Sequence, residues 1–460
     1  MSIAKVLSDL DLRKEDSLSK LFEFLRIKSI STDLQYKEDC KSAADWIGNE
    51  ISNLGLSVKN YDIGDHPIVF GAPPNPNKSK PTYLFYGHYD VQPPDPTELW
   101  EFDPFEPRIL NRGGKQVIHG RGSSDDKGQI LTFFEACRSF LNIHEELPFN
   151  LKVLIEGEEE CGSPSTSEFL KENKNLLTCD YALICDTGFE QGKPSIFTML
   201  RGEVSLKIKI KAATTDLHSG LYGGAATNPI KALSSIINNI HDKNGRIQIP
   251  NFYDDVISLN KNQKEQWASL NFDEKKFLND VGLSSSAGEK HYSIIENLWS
   301  RPSCEITGIS GGYTGKGFKT IIPAEAFANV SFRLVKDQNP EKIKACFRNF
   351  VRNMLPNDCK VSFIEGFGTR ASVVSSESKI ISVAKEALIE EWGVAPILAG
   401  AGASIPIVTD LKDILGVDSL LIGFGKDEDN IHAPNEQYEL ESFFKGANTW
   451  ARIIEKLKCN

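Results

Sequence analysis

Four short apolar runs constrain the fold of this chain more than any other feature: Tyr83–Tyr86, Leu151–Ile155, Tyr181–Ile184 and Ser419–Phe424. Segments with helical apolar spacing accompany them, around Gln129–Asn142, Ser165–Lys174 and Glu377–Trp392, with a closing helix from Glu439. Strands alternating with helices of this length imply a mainly parallel sheet with helices on both faces, an α/β domain. Upstream, Asp16 to Leu56 reads as two amphipathic helices. Leu18, Leu21, Phe22 and Leu25 mark the first, and Ala43, Ile47, Ile51 and Leu54 the second.

The texture changes near Arg201. Val204–Ile210 alternates apolar residues with Lys, as a strand with one wet face does. A helix from Pro229 to Ile240, a long polar stretch, an alternating strand Ala326–Val335, a helix Pro340–Met354 and a strand near Lys360–Ile364 follow. This pattern predicts a separate α+β sandwich. The simplest partition is an α/β domain of residues 1–202 plus 368–460, interrupted by an inserted α+β domain of residues 203–367.

Charge and composition narrow the function. With 52 Lys+Arg against 63 Asp+Glu the chain carries a net charge of −11, which argues against a nucleic-acid partner. No stretch approaches the roughly 18 uninterrupted apolar residues of a membrane span. The start, MSIAKVLSDLDLRKEDS, has charges where a signal peptide needs its apolar stretch. The expectation is a soluble, cytoplasmic protein with no membrane partner. Its nine cysteines include no C-x-x-C pair, so they read as small core hydrophobes rather than a disulfide framework or a zinc knuckle.

In open α/β sheets, ligands bind beyond the carboxyl ends of the strands. His88 and Asp90 follow the first apolar run, Glu158-Glu159-Glu160 the second and Asp186 the third, while His432 comes soon after the fourth. A further acidic loop, Gly120–Gly128, precedes a helix. Any one such acid is ordinarily solvated or caps the next helix. Their joint placement at one sheet edge is what points to a site. Two His among several carboxylates suit Zn²⁺ or Mn²⁺ better than Ca²⁺, which prefers oxygen-only shells.

The motifs resemble the M20 family of co-catalytic metallopeptidases, most closely its cytosolic dipeptidase (carnosinase-like, Cys-Gly dipeptidase-like) branch. The matching stretches are Gly87–Pro93, Gly120–Gly128, Glu156–Ser163, Asp216–Gly220, Gly308–Pro323, Ser331–Val335, Ala403–Pro406 and His432–Glu436, in family order. The departures are mild: Cys161 after the glutamates and Tyr89 between the first ligands.

Residue by residue, the resemblance implies a dinuclear centre with two divalent ions per subunit, Zn²⁺ favoured and Mn²⁺ the alternative. Asp125 would bridge the ions, His88 and Asp186 would complete one shell, and Glu160 and His432 the other. Glu159 would be the general base, and Asp90 would orient His88. A cis peptide between Asp125 and Asp126 is implied as well. His218 would reach the partner subunit's site in a homodimer and stabilise the oxyanion, which makes the inserted domain a lid and dimerisation domain. Arg333 would bind the substrate's terminal carboxylate, with Ser404 beside it and Asn228 near the same pocket.

Elementary chemistry fits that division of labour. His88 and Asp90 are two positions apart, so on extended chain they point the same way, and an Asp behind a ligating His fixes its tautomer. A shared carboxylate brings two cations to roughly 3.5–4 Å, close enough to hold one hydroxide between them. In extended chain Glu159 and Glu160 point to opposite sides, leaving one to ligate and one to take a proton, while Glu158 reads as a solvated acid. The Gly311–Gly317 run is not a phosphate loop, because Gly317 stands where Ser or Thr should bind Mg²⁺. It reads as a flexible turn lining the substrate cleft.

The resemblance thus implies a hydrolase that cleaves the amide bond of dipeptides or short peptides with a free C-terminal carboxylate, using metal-bound hydroxide with Glu159 as base. The alternative is an N-acyl amino-acid deacylase of the acetylornithine deacetylase or succinyl-diaminopimelate desuccinylase type. A non-enzymatic binding module of this fold would have lost ligands or base, and none is missing.

Overall fold

The computed structural model describes residues 2–402 and 405–457. The chain divides into two compact units, one of Met1–Thr198, Val374–Ala399 and Pro406–Asn460, the other of Met199–Val373 and Gly400–Ile405.

The sheet of the first unit runs Ser57–Tyr61, Ile68–Ala72, Asn150–Glu156, Thr82–His88, Tyr181–Ile184, Asp418–Ile422 and Ser195–Leu200. Its central strands, from Asn150–Glu156 across to Asp418–Ile422, are parallel, whereas the flanking pairings are antiparallel. The central strands grew from the long apolar runs, which is the composition a strand buried on both faces needs. Phe85 on one face stacks on Phe133 of helix Lys127–His144, ring centroids 4.0 Å apart, and meets Trp450 of helix Leu440–Leu457 edge-on. On the other face Tyr86 donates to Glu156, which also accepts from Thr166 at the start of helix Thr166–Glu172.

The flanking strands went unpredicted, the first of them for a physical reason. Ser57–Tyr61 keeps every side chain exposed or half-buried, so it has no apolar signature. An N-terminal helix, Ile3–Leu12, also stands in the charged opening stretch, for which no element was expected from the sequence, and it contributes Val6 and Leu10 to the core. Cysteines largely follow the small-hydrophobe reading, with Cys40, Cys137, Cys185, Cys304 and Cys359 buried, but Cys161 is exposed, while Cys459 lies outside the described residues.

The second unit is built on an antiparallel sheet ordered Ser303–Gly311, Glu325–Leu334, Gly202–Lys211 and Lys360–Thr369. Along Gly202–Lys211 burial alternates: Val204, Leu206, Ile208 and Ile210 face a core completed by helices Pro229–Asn238 and Pro340–Met354. The polar stretch between is partly helical, at Lys261–Ala268, Glu274–Asn279 and Ile294–Trp299. Among the described residues, no helix is long and apolar enough to cross a membrane.

Candidate metal centre

Because Thr82–His88, Asn150–Glu156 and Tyr181–Ile184 are parallel, their carboxyl ends share one edge. His88 and Asp90 close the first of them, and both are fully buried. His88 Nδ1 lies 3.1 Å from the Asp90 carbonyl oxygen, with the Asp90 carboxylate further away at 3.4 Å. The backbone carbonyl therefore accepts a hydrogen bond from Nδ1–H, which leaves the Nε2 lone pair for a ligand. The Asp90 carboxylate has other work: Oδ2 accepts from Ser31 Oγ at 2.6 Å and Glu160 N at 3.0 Å, and Oδ1 from Glu159 N at 3.3 Å. It orders the turn that carries both glutamates.

Two donor groups meet at Asp125. His88, Asp125 and Asp186 offer ligand atoms within 4.8 Å of one another, and so do Asp125, Glu160 and His432. His88 Nε2 is 3.0 Å from Asp125 Oδ1 and 3.8 Å from Asp186 Oδ2. His432 Nε2 is 2.9 Å from Asp125 Oδ2 and 3.1 Å from Glu160 Oε2. Asp125 sits on a loop that packs backbone against backbone: a Cβ on Gly128 would fall 2.0 Å from Ser123 O, so only glycine serves there. The Asp125–Asp126 peptide is cis.

The glutamate segment departs from the extended chain read from sequence. Glu159–Cys161 is a single tight helical turn closed by Gly162 in the left-handed region. Glu158 is not solvated either. It is buried, and accepts from Asp65 N at 2.7 Å, His66 N at 3.3 Å and Ser165 N at 3.2 Å. Asp65 and His66 come from a loop remote in sequence, which no local pattern reveals. Gln92 and Lys127 are further supports left without a role by sequence reading. Gln92 Nε2 donates to Glu160 Oε2 at 2.9 Å, and buried Lys127 ties its loop to the Phe24 and Ile27 carbonyls at 3.1 and 2.7 Å.

The electrostatics suit a cation. Burial lifts the Glu159 and Asp186 carboxyls above the usual carboxylate range, and neighbouring Asp125 and Glu160 add to the rise. Burial works against the Asp125 charge too, but His432 and His88 hold that carboxyl well below its ordinary value. His432 is pushed up to about 10 by Asp125 and then Glu160. Acids crowded until they favour protons are acids that a bound cation relieves. His88 Nε2 is buried and finds no hydrogen-bond partner of good geometry among the described residues. The residues present therefore fit divalent ions, with a mixed nitrogen and oxygen donor set suited to Zn²⁺ or Mn²⁺.

His218, Asn228 and Arg333 belong to the second unit. His218 is exposed, and its Nδ1 accepts from Gly220 N at 3.0 Å, so the neutral ring carries its proton on Nε2. It lines an open cavity of about 990 Å³ with Gly311, Gly312, Thr314 and Lys319. Arg333 pairs with Glu203 directly across the strands, Nη1 to Oε2 at 2.7 Å. Asn228 caps helix Pro229–Asn238 by accepting from Ile230 N at 2.9 Å. Ser404 lies outside the described residues.

A sheet edge that gathers two such donor groups is the architecture of a metallohydrolase, and the chain belongs to Peptidase family M20/M25/M40, which matches residues 84–456. It is 28% identical over 473 residues to the Cys-Gly metallodipeptidase dug1 of Schizosaccharomyces pombe, across 99% of this chain and 98% of that one. It is 28% identical over 472 residues to the human Beta-Ala-His dipeptidase, across 98% and 92%. Among solved structures, the M20 family metallo-carboxypeptidase Sso-CP2 from Sulfolobus solfataricus aligns with a TM-score of 0.81 at 29% identity, covering 96% of this chain and 99% of that one.

Proposed function

We propose that this chain is a two-metal dipeptidase acting on dipeptides or short peptides with a free C-terminal carboxylate. The observation that carries the reading is the pair of donor groups sharing Asp125. His88 and Asp186 would complete one ion's shell, and Glu160 and His432 the other's. Bound there, divalent ions supply Lewis acidity to the scissile carbonyl and make a water acidic near neutral pH.

The chain's own residues do the rest. Glu159 lies outside both donor groups but on the same turn as Glu160, so it is free to take the water's proton and deliver it to the leaving amine. Asp90 keeps that turn in place through the Glu159 and Glu160 amides. Arg333 offers a guanidinium fork to the substrate carboxylate, a task for which it must loosen or share Glu203. By the family resemblance, Ser404 and Asn228 would help to hold the same carboxylate. His218, with Nε2–H free to donate, stabilises the oxyanion in the partner's site of a homodimer, and residues 203–367 serve as lid and dimerisation domain.

Relatives named for Cys-Gly and Beta-Ala-His support a small substrate ending in a carboxylate. The test is a panel of Cys-Gly, β-Ala-His and other dipeptides, their C-amidated forms and N-acetyl amino acids, each with Zn²⁺ or Mn²⁺. Free dipeptides should be cleaved and amidated ones spared. Turnover of N-acetyl amino acids without any dipeptide would make the protein a deacylase instead.

A further inference from the structure

Glu436 is fully buried, four positions beyond His432, and belongs to neither donor group. Its carboxylate is filled by the loop that carries Asp125. Oε2 accepts from Arg121 Nη1 at 2.8 Å and Gly122 N at 2.8 Å, while Oε1 accepts from Ser124 N at 2.9 Å and Asp125 N at 3.1 Å. The Glu436 carbonyl accepts from Gly120 N at 3.1 Å as well. Arg121, itself buried, donates from Nη2 to the Pro93 and Ala433 carbonyls at 3.2 and 3.3 Å. Gly122 makes the convergence of amides possible: its φ of +82° lies in the left-handed region, and a Cβ there would sit 2.7 Å from Val91.

A buried ion pair of this kind is a poor device for stability, because well-packed apolar residues often do as well or better. What it supplies is geometry. Charge-assisted hydrogen bonds to both carboxylate oxygens fix direction as well as distance. Here they join two segments that each bring a ligand: Asp125 on one, His432 on the other. His432 needs such support, since its φ of +61° lies in the left-handed region that a non-glycine residue seldom adopts.

We propose that Glu436 is a positioning residue of the metal centre. Through Arg121 and the amides of Gly122, Ser124 and Asp125, it sets the Asp125 carboxylate against His432 so that both meet one ion. The inference rests on the two-metal reading above. It separates from that reading because Glu436 touches neither ion nor substrate.

The test is titration of metal-free protein with Co²⁺, reading stoichiometry, affinity and the visible absorption of the bound ion. Wild-type protein should take up two Co²⁺ per chain; if it takes up none, the two-metal reading fails. E436Q keeps the shape but turns a donor toward the loop amides. It should weaken at least one of the two binding steps by about 10–100-fold and alter the cobalt spectrum, in a protein whose circular dichroism is unchanged. Folded E436Q with wild-type affinity and spectrum would overturn the proposal. Should E436Q not fold, E436D, which keeps the charge on a shorter arm, is judged by the same criteria. If neither variant folds, Glu436 is a folding residue and the proposal is equally overturned.

Discussion

His432 Nε2 stands 2.9 Å from Asp125 Oδ2 across a sequence separation of 307 residues. The other donor group draws on positions 88, 125 and 186. One half of the centre is therefore local to the first stretch of the chain, and the other exists only once the closing stretch has docked. A site whose ligands converge only in the folded state makes metal affinity part of folding free energy.

Asp125 is the shared member, so its loss should be unlike any other. D125A is expected to release both ions on dialysis, whereas H88A or D186A should retain one and H432A or E160A should retain the other. Elemental analysis of the dialysed proteins reads this directly. D125A that still holds two ions per chain would remove the bridging assignment.

Glu159 adjoins Glu160, a member of one donor group, and belongs to neither group itself, so under the proposed mechanism its variant should separate binding from turnover. E159A is expected to keep the wild-type metal content and substrate KM within a few-fold, while kcat falls by about 10²–10⁴. Retained turnover in a fully metallated E159A would transfer the base role to another group.

The positions of these residues were largely legible in the sequence, and their surroundings were not. Thr82–His88 and Tyr181–Ile184 announce themselves because strands covered on both faces must be continuously apolar. Ser303–Gly311 does not, since most of its side chains are exposed or half-buried and its place comes from backbone pairing with Glu325–Leu334. Glu158 shows the same limit at the site. Its solvated reading failed because the amides that bury it, those of Asp65 and His66, lie 93 and 92 positions away. Ligand types and strand ends are written locally; hydrogen-bond partners are settled by topology.

Glu190 gives the fold a pH dependence apart from the metal ligands. Burial, with the Asp427 charge adding to it, raises its carboxyl from 4.5 to about 7. The folded state thus binds the proton more tightly than the unfolded chain. Its contribution is fully present below about 4.5 and is lost as pH rises to about 7. E190Q removes the ionisation. Above pH 7 it should be more stable than wild type by about 2–3 kcal/mol, with the difference vanishing near pH 4. Urea unfolding of the two metal-loaded proteins across that range checks the sign, and parallel stability curves would count against it.

The proposed homodimer, with His218 serving the partner's site, makes a prediction that no single variant can supply. If His218 serves the partner's centre, H218A and E159A lesions act on complementary halves: a mixed dimer pairs the intact Glu159 of one chain with the intact His218 of the other. Each parent homodimer should be nearly inactive. After subunit exchange, followed by native mass spectrometry of differently tagged chains, activity should rise toward that of one working site per mixed dimer. The exposed Nε2–H of His218, preset by the Gly220 amide on Nδ1, is the donor such a site needs. Mixed dimers that form and remain inactive would confine His218 to its own chain or to no catalytic role.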